Sequence, residues 1–135
     1  MGQVRDGMSN VVLTIGPGHS LSEAARLMTE RNVGAAIVMD PDSPGPGILT
    51  ERDILRSVAA GDNPATELVG AHLTDELISA SPDWSLEQAA EAMLDGGFRH
   101  LLVVHGPELE GILSMRDIVR CWTSDGATSE MSLPG

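Results

Sequence analysis

The chain contains the same ten-residue string twice, and this internal repeat constrains its fold more than any other feature. Residues 47–56 read Gly-Ile-Leu-Thr-Glu-Arg-Asp-Ile-Leu-Arg, and residues 111–120 are identical to them at seven of the ten positions. Upstream, the match continues at an offset of 65 instead of 64 residues, which a difference of one residue in loop length explains. A copy of about 60 residues is too small to bury an extensive core alone. We therefore expect one fused unit of two halves related by a pseudo-two-fold axis, with function at the seam.

The acidic balance of the chain argues against two classes of partner. Its 135 residues include twenty Asp and Glu but only eight Lys and Arg, for a formal net charge of −12. This charge repels nucleic acids and anionic membrane surfaces at long range. The sequence also lacks a signal-type N-terminus and any apolar run near the roughly 20 residues of a membrane span. The single cysteine, Cys121, cannot form an internal disulfide, which fits a reducing compartment. We therefore expect a cytoplasmic protein. From its charge and the lack of an apolar span, we expect it to bind neither nucleic acid nor membrane.

Each repeat contains the signature of a helix that packs on a core. Ser20 and Ser85 are each followed three residues later by Glu or Gln, the pattern of a capping box at a helix N-terminus. Apolar residues then recur with the i, i+3, i+4, i+7 spacing of a buried helix face. They are Leu21, Ala24, Ala25 and Met28 in the first copy, and Leu86, Ala89, Ala90 and Met93 in the second. Asn32 and the Gly96-Gly97 pair should end these helices, since both residue types accept the left-handed conformation.

Short apolar runs between turn-forming residues predict three strands per repeat. These runs are 11–15, 35–39 and 47–50 in the first copy, and 77–80, 101–104 and 111–114 in the second. A second helix should begin at Glu51 and at Met115. Each repeat then has the order β-α-β-β-α, and the fold class is α+β with α/β-like character.

The same pattern divides the chain into segments. The first repeat is predicted at 8–60 and the second at 77–122, joined by a linker at 61–76. A short helix is expected at 66–72 in this linker, with its counterpart at 4–8. Residues 123–135 are polar, without an apolar period, and are expected to form a disordered tail.

The repeated strings place a hydroxyl, an arginine and an aspartate where a strand ends and a helix begins. These residues are Thr50, Arg52 and Asp53, and their counterparts Ser114, Arg116 and Asp117. A helix N-terminus with a hydroxyl and an arginine suits a phosphate, and the aspartate can accept hydrogen bonds from ribose hydroxyls. Alternatively, the hydroxyl and the aspartate form ordinary capping boxes and the arginines are solvated. The residues alone leave both interpretations open, because duplication copies a cap as readily as a binding site.

A family resemblance favours the binding interpretation. The repeat, its β-α-β-β-α order and the strings at 47–53, 98–104 and 111–117 closely resemble cystathionine-β-synthase (CBS) domains, which act as tandem pairs called Bateman modules. The resemblance covers residues 8 to about 122. It implies a regulatory module that requires no cofactor and binds adenosyl ligands, such as AMP, ADP, ATP or S-adenosylmethionine, in two clefts between the repeats.

The resemblance also assigns roles to individual residues. Asp53 and Asp117 would hold ribose, while Thr50, Ser114, Arg52 and Arg116 would contact phosphate. The first strand of each repeat would line the adenine pocket, through Val12, Thr14, Leu77 and Ser79.

The two repeats differ at one position of interest. Arg99 and His100 in the second repeat replace Gly34 and Ala35 in the first. Arg99 is a candidate phosphate contact, although a solvated arginine at a strand edge is an equally plain interpretation. His100 is a possible site residue but more often structural. His19, His72 and His105 show no ligand spacing, so no metal site is expected.

These observations favour a non-catalytic sensor whose ligand changes its shape or its grip on a regulated protein partner. No combination of nucleophile, base and acid typical of an enzyme is evident. The alternative is a ligand-free module for dimerisation or partner docking. A homodimer is expected in either case, since Bateman-like pairs often associate through their helices.

Overall fold

The computed structural model describes residues 2–43, 45–74 and 78–124. Its helices are α1 (Val4–Gly7), α2 (Leu21–Arg31), α3 (Glu51–Ala59), α4 (Leu86–Gly96) and α5 (Met115–Ser124), with a short 3₁₀ helix at Val69–Ala71. Its strands are β1 (Thr14–Ile15), β2 (Ala35–Val38), β3 (Gly47–Thr50), β4 (Ser79–Ala80), β5 (His100–His105) and β6 (Glu108–Ser114). The predicted β-α-β-β-α order is confirmed in both repeats.

The elements form two compact units, each with its own sheet and core. Residues Val12–Leu77 form one, here called the N-repeat unit, and residues Met1–Val11 with Ile78–Gly135 form the other, the C-repeat unit. In each unit the first strand is parallel to the second, and the second is antiparallel to the third. The domain boundaries expected from the repeat stay a prediction, since the units reflect contacts and not sequence similarity.

The predicted apolar faces of α2 and α4 lie on the cores of their own units. Leu21, Ala24 and Met28 are buried in the N-repeat unit, and their counterparts Leu86, Ala89 and Met93 are buried in the C-repeat unit. Both helices begin with the expected capping box. They end at Asn32 and Gly97, which adopt the left-handed conformation with φ of 54° and 73°.

The helix predicted at 66–72 is shorter than expected, whereas its counterpart at 4–8 forms α1. Backbone groups of the 66–72 segment bond to the loop before α2, as those of the equivalent 2–5 segment bond to the loop before α4. The amides of Val69 and Gly70 donate to the carbonyls of His19 and Pro17, and the Glu67 carbonyl accepts from Leu21. The two segments differ at their ends, where the Met8 amide donates to the Val4 carbonyl four residues back but the His72 amide donates to the Val69 carbonyl three residues back. The correspondence of the two segments still holds, because Val4 and Val69 are fully buried in their respective cores.

The boundaries of several strands and of α5 also differ from the prediction. In β1 only residues 14–15 pair with β2, which is itself four residues long. Strands β5 and β6 are longer than predicted because a tight turn at Gly106, with φ of 59°, pairs His105 with Glu108. Helix α5 includes Thr123 and Ser124, since the sequence has no glycine before position 126 to end it. The rest of the predicted tail, 125–135, lies outside the described residues.

One glycine of the repeated string is required by a close backbone approach. The Ser9 amide donates to the Ile112 carbonyl and the Ile112 amide donates to the Ser9 carbonyl, at 2.9 and 3.1 Å, so the N-terminal segment pairs with β6. A side chain on the adjacent Gly111 would overlap the Ser9 carbonyl oxygen. At the equivalent Gly47, an added Cβ would instead lie 2.9 Å from Cδ1 of Leu73, the end of a flexible side chain.

We therefore expect Gly111→Ala to lower the free energy of unfolding by about 1–3 kcal/mol, the usual cost of overpacking. The matched variant Gly47→Ala should cost less, because Leu73 can change rotamer whereas the backbone of Ser9 cannot move freely. Urea denaturation followed by circular dichroism measures both values. Equal losses for the two variants would contradict the close approach of Ser9 to β6.

Candidate functional site

In the N-repeat unit, the turn from β3 to α3 is organised around the carboxylate of Asp53. Its Oδ2 atom accepts hydrogen bonds from the Thr50 amide at 2.8 Å and the Thr50 hydroxyl at 3.0 Å. The Asp53 amide donates in return to the Thr50 hydroxyl at 3.3 Å. The hydroxyl of Thr74, 21 residues away, also donates to Oδ2, at 2.8 Å. The carboxylate thus closes a capping box and holds the segment that follows the 3₁₀ helix.

The turn from β6 to α5 in the C-repeat unit repeats this arrangement. Oδ2 of Asp117 accepts from the Ser114 amide at 2.8 Å and the Ser114 hydroxyl at 2.9 Å, and the Asp117 amide donates to that hydroxyl at 3.1 Å. The other carboxylate oxygen, Oδ1, is 3.0 Å from Nη1 of Arg120. Arg120 also donates to the carbonyl of Gly7 in α1, at 3.2 Å. Asp117 therefore closes the cap with Oδ2 and forms an ion pair with Arg120 through Oδ1.

These distances confirm the capping interpretation of the hydroxyls and restrict what a phosphate could find at the turns. Thr50 and Ser114 already donate their hydroxyl hydrogens to the aspartates. The first amide of each helix is also engaged, since Glu51 donates to the Gly34 carbonyl at 3.0 Å and Met115 donates to the Arg99 carbonyl at 2.9 Å. A phosphate at either turn would therefore depend mainly on arginine side chains.

The three candidate arginines lie at the same two turns. Arg52 and Arg116 are exposed in the first turn of α3 and of α5. Arg99 is exposed just before β5, and its carbonyl bond to Met115 places its backbone against the N-terminus of α5. Position 99 thus adds a second arginine beside the α5 turn, where the N-repeat unit has Gly34. His100 is half-buried and pairs directly with Ser114 across β5 and β6.

The residues expected to line an adenine pocket lie away from the cores. Val12 is half-buried and Thr14 is exposed, whereas the alternating neighbours Leu13 and Ile15 are buried. Ser79 is likewise exposed at the equivalent place in β4. Leu77 lies outside the described residues.

Two contacts at the turns were missed by the sequence analysis. Arg120 lies three residues after Asp117, a spacing at which helical side chains meet, so this pair was open to prediction. Thr74 has no such signal, because it reaches Asp53 from a distant segment. Comparison of the two repeats does not predict either contact, because the counterpart of each residue bonds differently. Arg56, the counterpart of Arg120, pairs with no acidic side chain in the described part of the chain, and Ser9, the counterpart of Thr74, donates to the Val11 carbonyl.

Comparison with known proteins identifies the class of this chain. The family model of the CBS domain matches residues 2–60 and 69–123. The chain belongs to the CBS domain family and carries two of these domains in tandem, as expected from the repeated strings.

Individual relatives agree with this assignment. The chain is 38% identical over 119 residues to the CBS domain-containing protein YhcV of Bacillus subtilis, covering 87% of this chain and 84% of YhcV. The crystal structure of the CBS-domain containing protein ATU1752 from Agrobacterium tumefaciens superposes with a TM-score of 0.81 at 32% identity, covering 88% of this chain and 92% of the other. Two archaeal relatives are longer, and the chain spans 66% and 45% of their lengths.

A third structure shares the fold at lower identity. The CBS domain pair of protein MJ0100, crystallised with 5′-methylthioadenosine and S-adenosyl-L-methionine, has a TM-score of 0.79 at 23% identity, covering 91% of this chain and 97% of that pair. Within the described residues of the present chain, no helix is long and apolar enough to cross a membrane.

The ion pair at Asp117 generates a prediction with a matched control. We expect Arg120→Ala to lower the free energy of unfolding by about 1 kcal/mol, since it removes a partly exposed ion pair and a hydrogen bond to Gly7. Arg56→Ala removes the same side chain from the equivalent position of α3, where the described residues form no such pair, and should change stability by less than about 0.5 kcal/mol. Thermal denaturation at low and high salt measures both. A larger loss for Arg56→Ala would contradict the assigned contacts.

Proposed function

We propose that this tandem CBS pair is a non-catalytic, cytoplasmic regulatory module that binds an adenosyl ligand such as AMP, ADP, ATP or S-adenosylmethionine. The observation that carries the proposal is the duplicated strand-to-helix turn, with a half-buried aspartate and an exposed arginine at the start of both α3 and α5. The ligand class, and its location in clefts between the repeats, come from the family resemblance.

Within this proposal, ribose hydroxyls donate to the carboxylates of Asp53 and Asp117. The two residues are unequal because Oδ1 of Asp117 already pairs with Arg120, whereas the capping and Thr74 hydrogen bonds of Asp53 all converge on Oδ2. A ribose at Asp117 must share or displace the arginine. We therefore propose Asp53 as the stronger ribose contact.

Phosphate groups are proposed to contact arginine side chains and not the capping hydroxyls. Arg52 would serve in the N-repeat unit, and Arg116 with Arg99 in the C-repeat unit. Since two arginines lie near the α5 turn, that half should favour ligands with more phosphate charge despite the net charge of −12. Thr50 and Ser114 then position the aspartates, while Val12, Thr14, Leu77 and Ser79 remain the proposed adenine contacts and His100 a possible one.

Protein MJ0100 is a solved example of this fold with adenosyl ligands. Its CBS pair holds two adenosyl compounds, but at 23% identity the likeness to the present chain extends to the fold alone.

A second candidate function is a dimerisation or docking scaffold without a ligand. One observation favours it: both second helices expose apolar side chains at equivalent positions, 64 residues apart. Leu55 and Val58 are exposed on α3, and Val119 and Trp122 are exposed on α5. Exposed apolar helix faces of this kind often mark protein interaction sites. A homodimer or a regulated partner protein would bury them, and either arrangement is compatible with ligand binding.

Ligand binding is expected to stabilise the fold. At a ligand concentration 100 times the dissociation constant, the gain should be about 2.7 kcal/mol, because the ligand binds only the folded state. A thermal shift panel of AMP, ADP, ATP, S-adenosylmethionine, NAD and adenosine measures this. Native mass spectrometry of the purified protein adds the oligomeric state and any ligand that copurifies.

A clear shift with at least one adenosyl compound supports the sensor. A protein that purifies as a bare dimer and shows no shift at millimolar concentrations of the whole panel would contradict it and favour the scaffold.

Substitution of the aspartates separates capping from ligand binding. We expect Asp53→Asn to weaken binding by roughly 1.5–3 kcal/mol, the range for a lost hydrogen bond to a charged group. Its stability cost should be about 1 kcal/mol or less, because asparagine keeps an acceptor for the cap. Asp117→Asn should weaken binding less, since Arg120 already compensates this carboxylate. Isothermal titration calorimetry measures the affinities and thermal denaturation the stabilities.

If both variants lose stability but bind the ligand as tightly as the original protein, the aspartates serve only as caps. A larger affinity loss for Asp117→Asn than for Asp53→Asn would reverse the proposed ranking of the two ribose contacts.

A further inference from the structure

Three side chains with metal-binding atoms converge after α3 in the N-repeat unit. They are Asp62, Glu67 and His72, here called the Asp-Glu-His cluster. Nε2 of His72 lies 2.7 Å from Oε1 of Glu67 and 3.8 Å from Oδ2 of Asp62. One ligand atom from each residue lies within 4.8 Å of the other two. Their spacing does not predict the cluster, because the three residues are five positions apart in a segment without a long helix or strand.

The backbone fixes each member of the cluster independently. The Asp62 amide donates to the Ser57 carbonyl at 3.1 Å, the Glu67 amide donates to the Asn63 carbonyl at 2.9 Å, and the His72 amide donates to the Val69 carbonyl at 3.0 Å. The hydroxyl of the buried Ser57 also donates to Oδ2 of Asp62, at 2.8 Å. His72 is the residue that ends the 3₁₀ helix at Val69–Ala71.

The chemistry of the cluster suits a divalent cation. An imidazole nitrogen and two carboxylate oxygens are ligands that zinc accepts, and three protein ligands leave a further position for water. Without a cation, two carboxylates share one histidine ring, whereas a doubly charged ion would neutralise both. The side chains are 20–35% exposed, so an ion can reach them. The net charge of −12 raises the local concentration of cations.

We propose that the Asp-Glu-His cluster binds a zinc ion or a similar divalent transition metal. This proposal departs from the expectation, based on histidine spacing, that the chain has no metal site. The binding ties the end of α3 to the 3₁₀ helix. It does not depend on the proposed adenosyl ligand, since the two sets of residues share no member.

The test is isothermal titration calorimetry of the tag-free, full-length protein with zinc chloride. We expect one zinc ion per chain. His72→Asn and Glu67→Gln should each weaken binding at least about tenfold, because loss of a supporting residue alone costs that much. Ser57→Ala, which keeps all three ligands but removes the hydrogen bond to Asp62, should also weaken binding by about tenfold.

The matched control is His105→Asn. His105 also lies near a carboxylate, with Nδ1 3.5 Å from an oxygen of Glu110, but it belongs to no group of three ligands in the described part of the chain. This variant should bind zinc like the original protein. Circular dichroism without metal confirms that each variant is folded, and if His72→Asn is not, Glu67→Gln and Asp62→Asn decide the question.

Absence of zinc binding at up to 100 times the protein concentration would overturn the proposal and leave the cluster as an ion pair around His72. So would zinc affinities of folded His72→Asn and Glu67→Gln equal to that of the original protein, or loss of binding in His105→Asn.

Discussion

The rest of each unit depends on one contact, the carboxylate that closes the strand-to-helix turn. In both repeats the last residue of a strand is also the cap of the next helix, and its amide and hydroxyl bond to the aspartate three residues later. A single carboxylate therefore sets where the strand stops, where the helix starts and how the hydroxyl is oriented. It also favours the helix through its charge near the N-terminus. The residues Gly-Ile-Leu precede the turn in both repeats. They pair with the preceding strand in the same way in both sheets, so the turn lies at the same place in each.

A residue used in this way can bind a ligand only with the oxygen that capping leaves available. The two repeats have diverged at this point. Arg120 pairs with the second oxygen of Asp117, while Arg56 at the equivalent position has no such acidic partner among the described residues. Conversely, Thr74 donates to the capping oxygen of Asp53, while its counterpart Ser9 bonds to a local carbonyl. The two repeats thus share the cap but differ in the side chains around each aspartate. The two turns therefore offer unequal binding sites.

The sequence predicted what depends on local spacing and missed what depends on distant contacts. Capping boxes, buried helix faces and the residues that end α2 and α4 follow from positions within four residues, and the structure has them where they were expected. The helix expected at 66–72 is instead a 3₁₀ turn at Val69–Ala71, because so short a segment has no apolar period that could define its type. The same limit explains why Thr74 and the Asp-Glu-His cluster were not foreseen, since no periodicity connects their members. The long β5–β6 hairpin was underestimated because its Gly106-Pro107 turn has no counterpart in the first repeat.

The connectivity of the C-repeat unit gives the N-terminal segment a chemical role in it. Residues 1–11 belong to this unit although the whole N-repeat unit intervenes along the chain. Val4 fills its core, Ser9 pairs with β6, and the carbonyl of Gly7 holds Arg120. Arg120 in turn pairs with Asp117, so the bond from α1 helps to hold this arginine beside the carboxylate. The surroundings of Asp117 therefore include Gly7, which lies 113 positions from the bonded Arg120 along the sequence, whereas Thr74, which donates to Asp53, lies 21 positions from it.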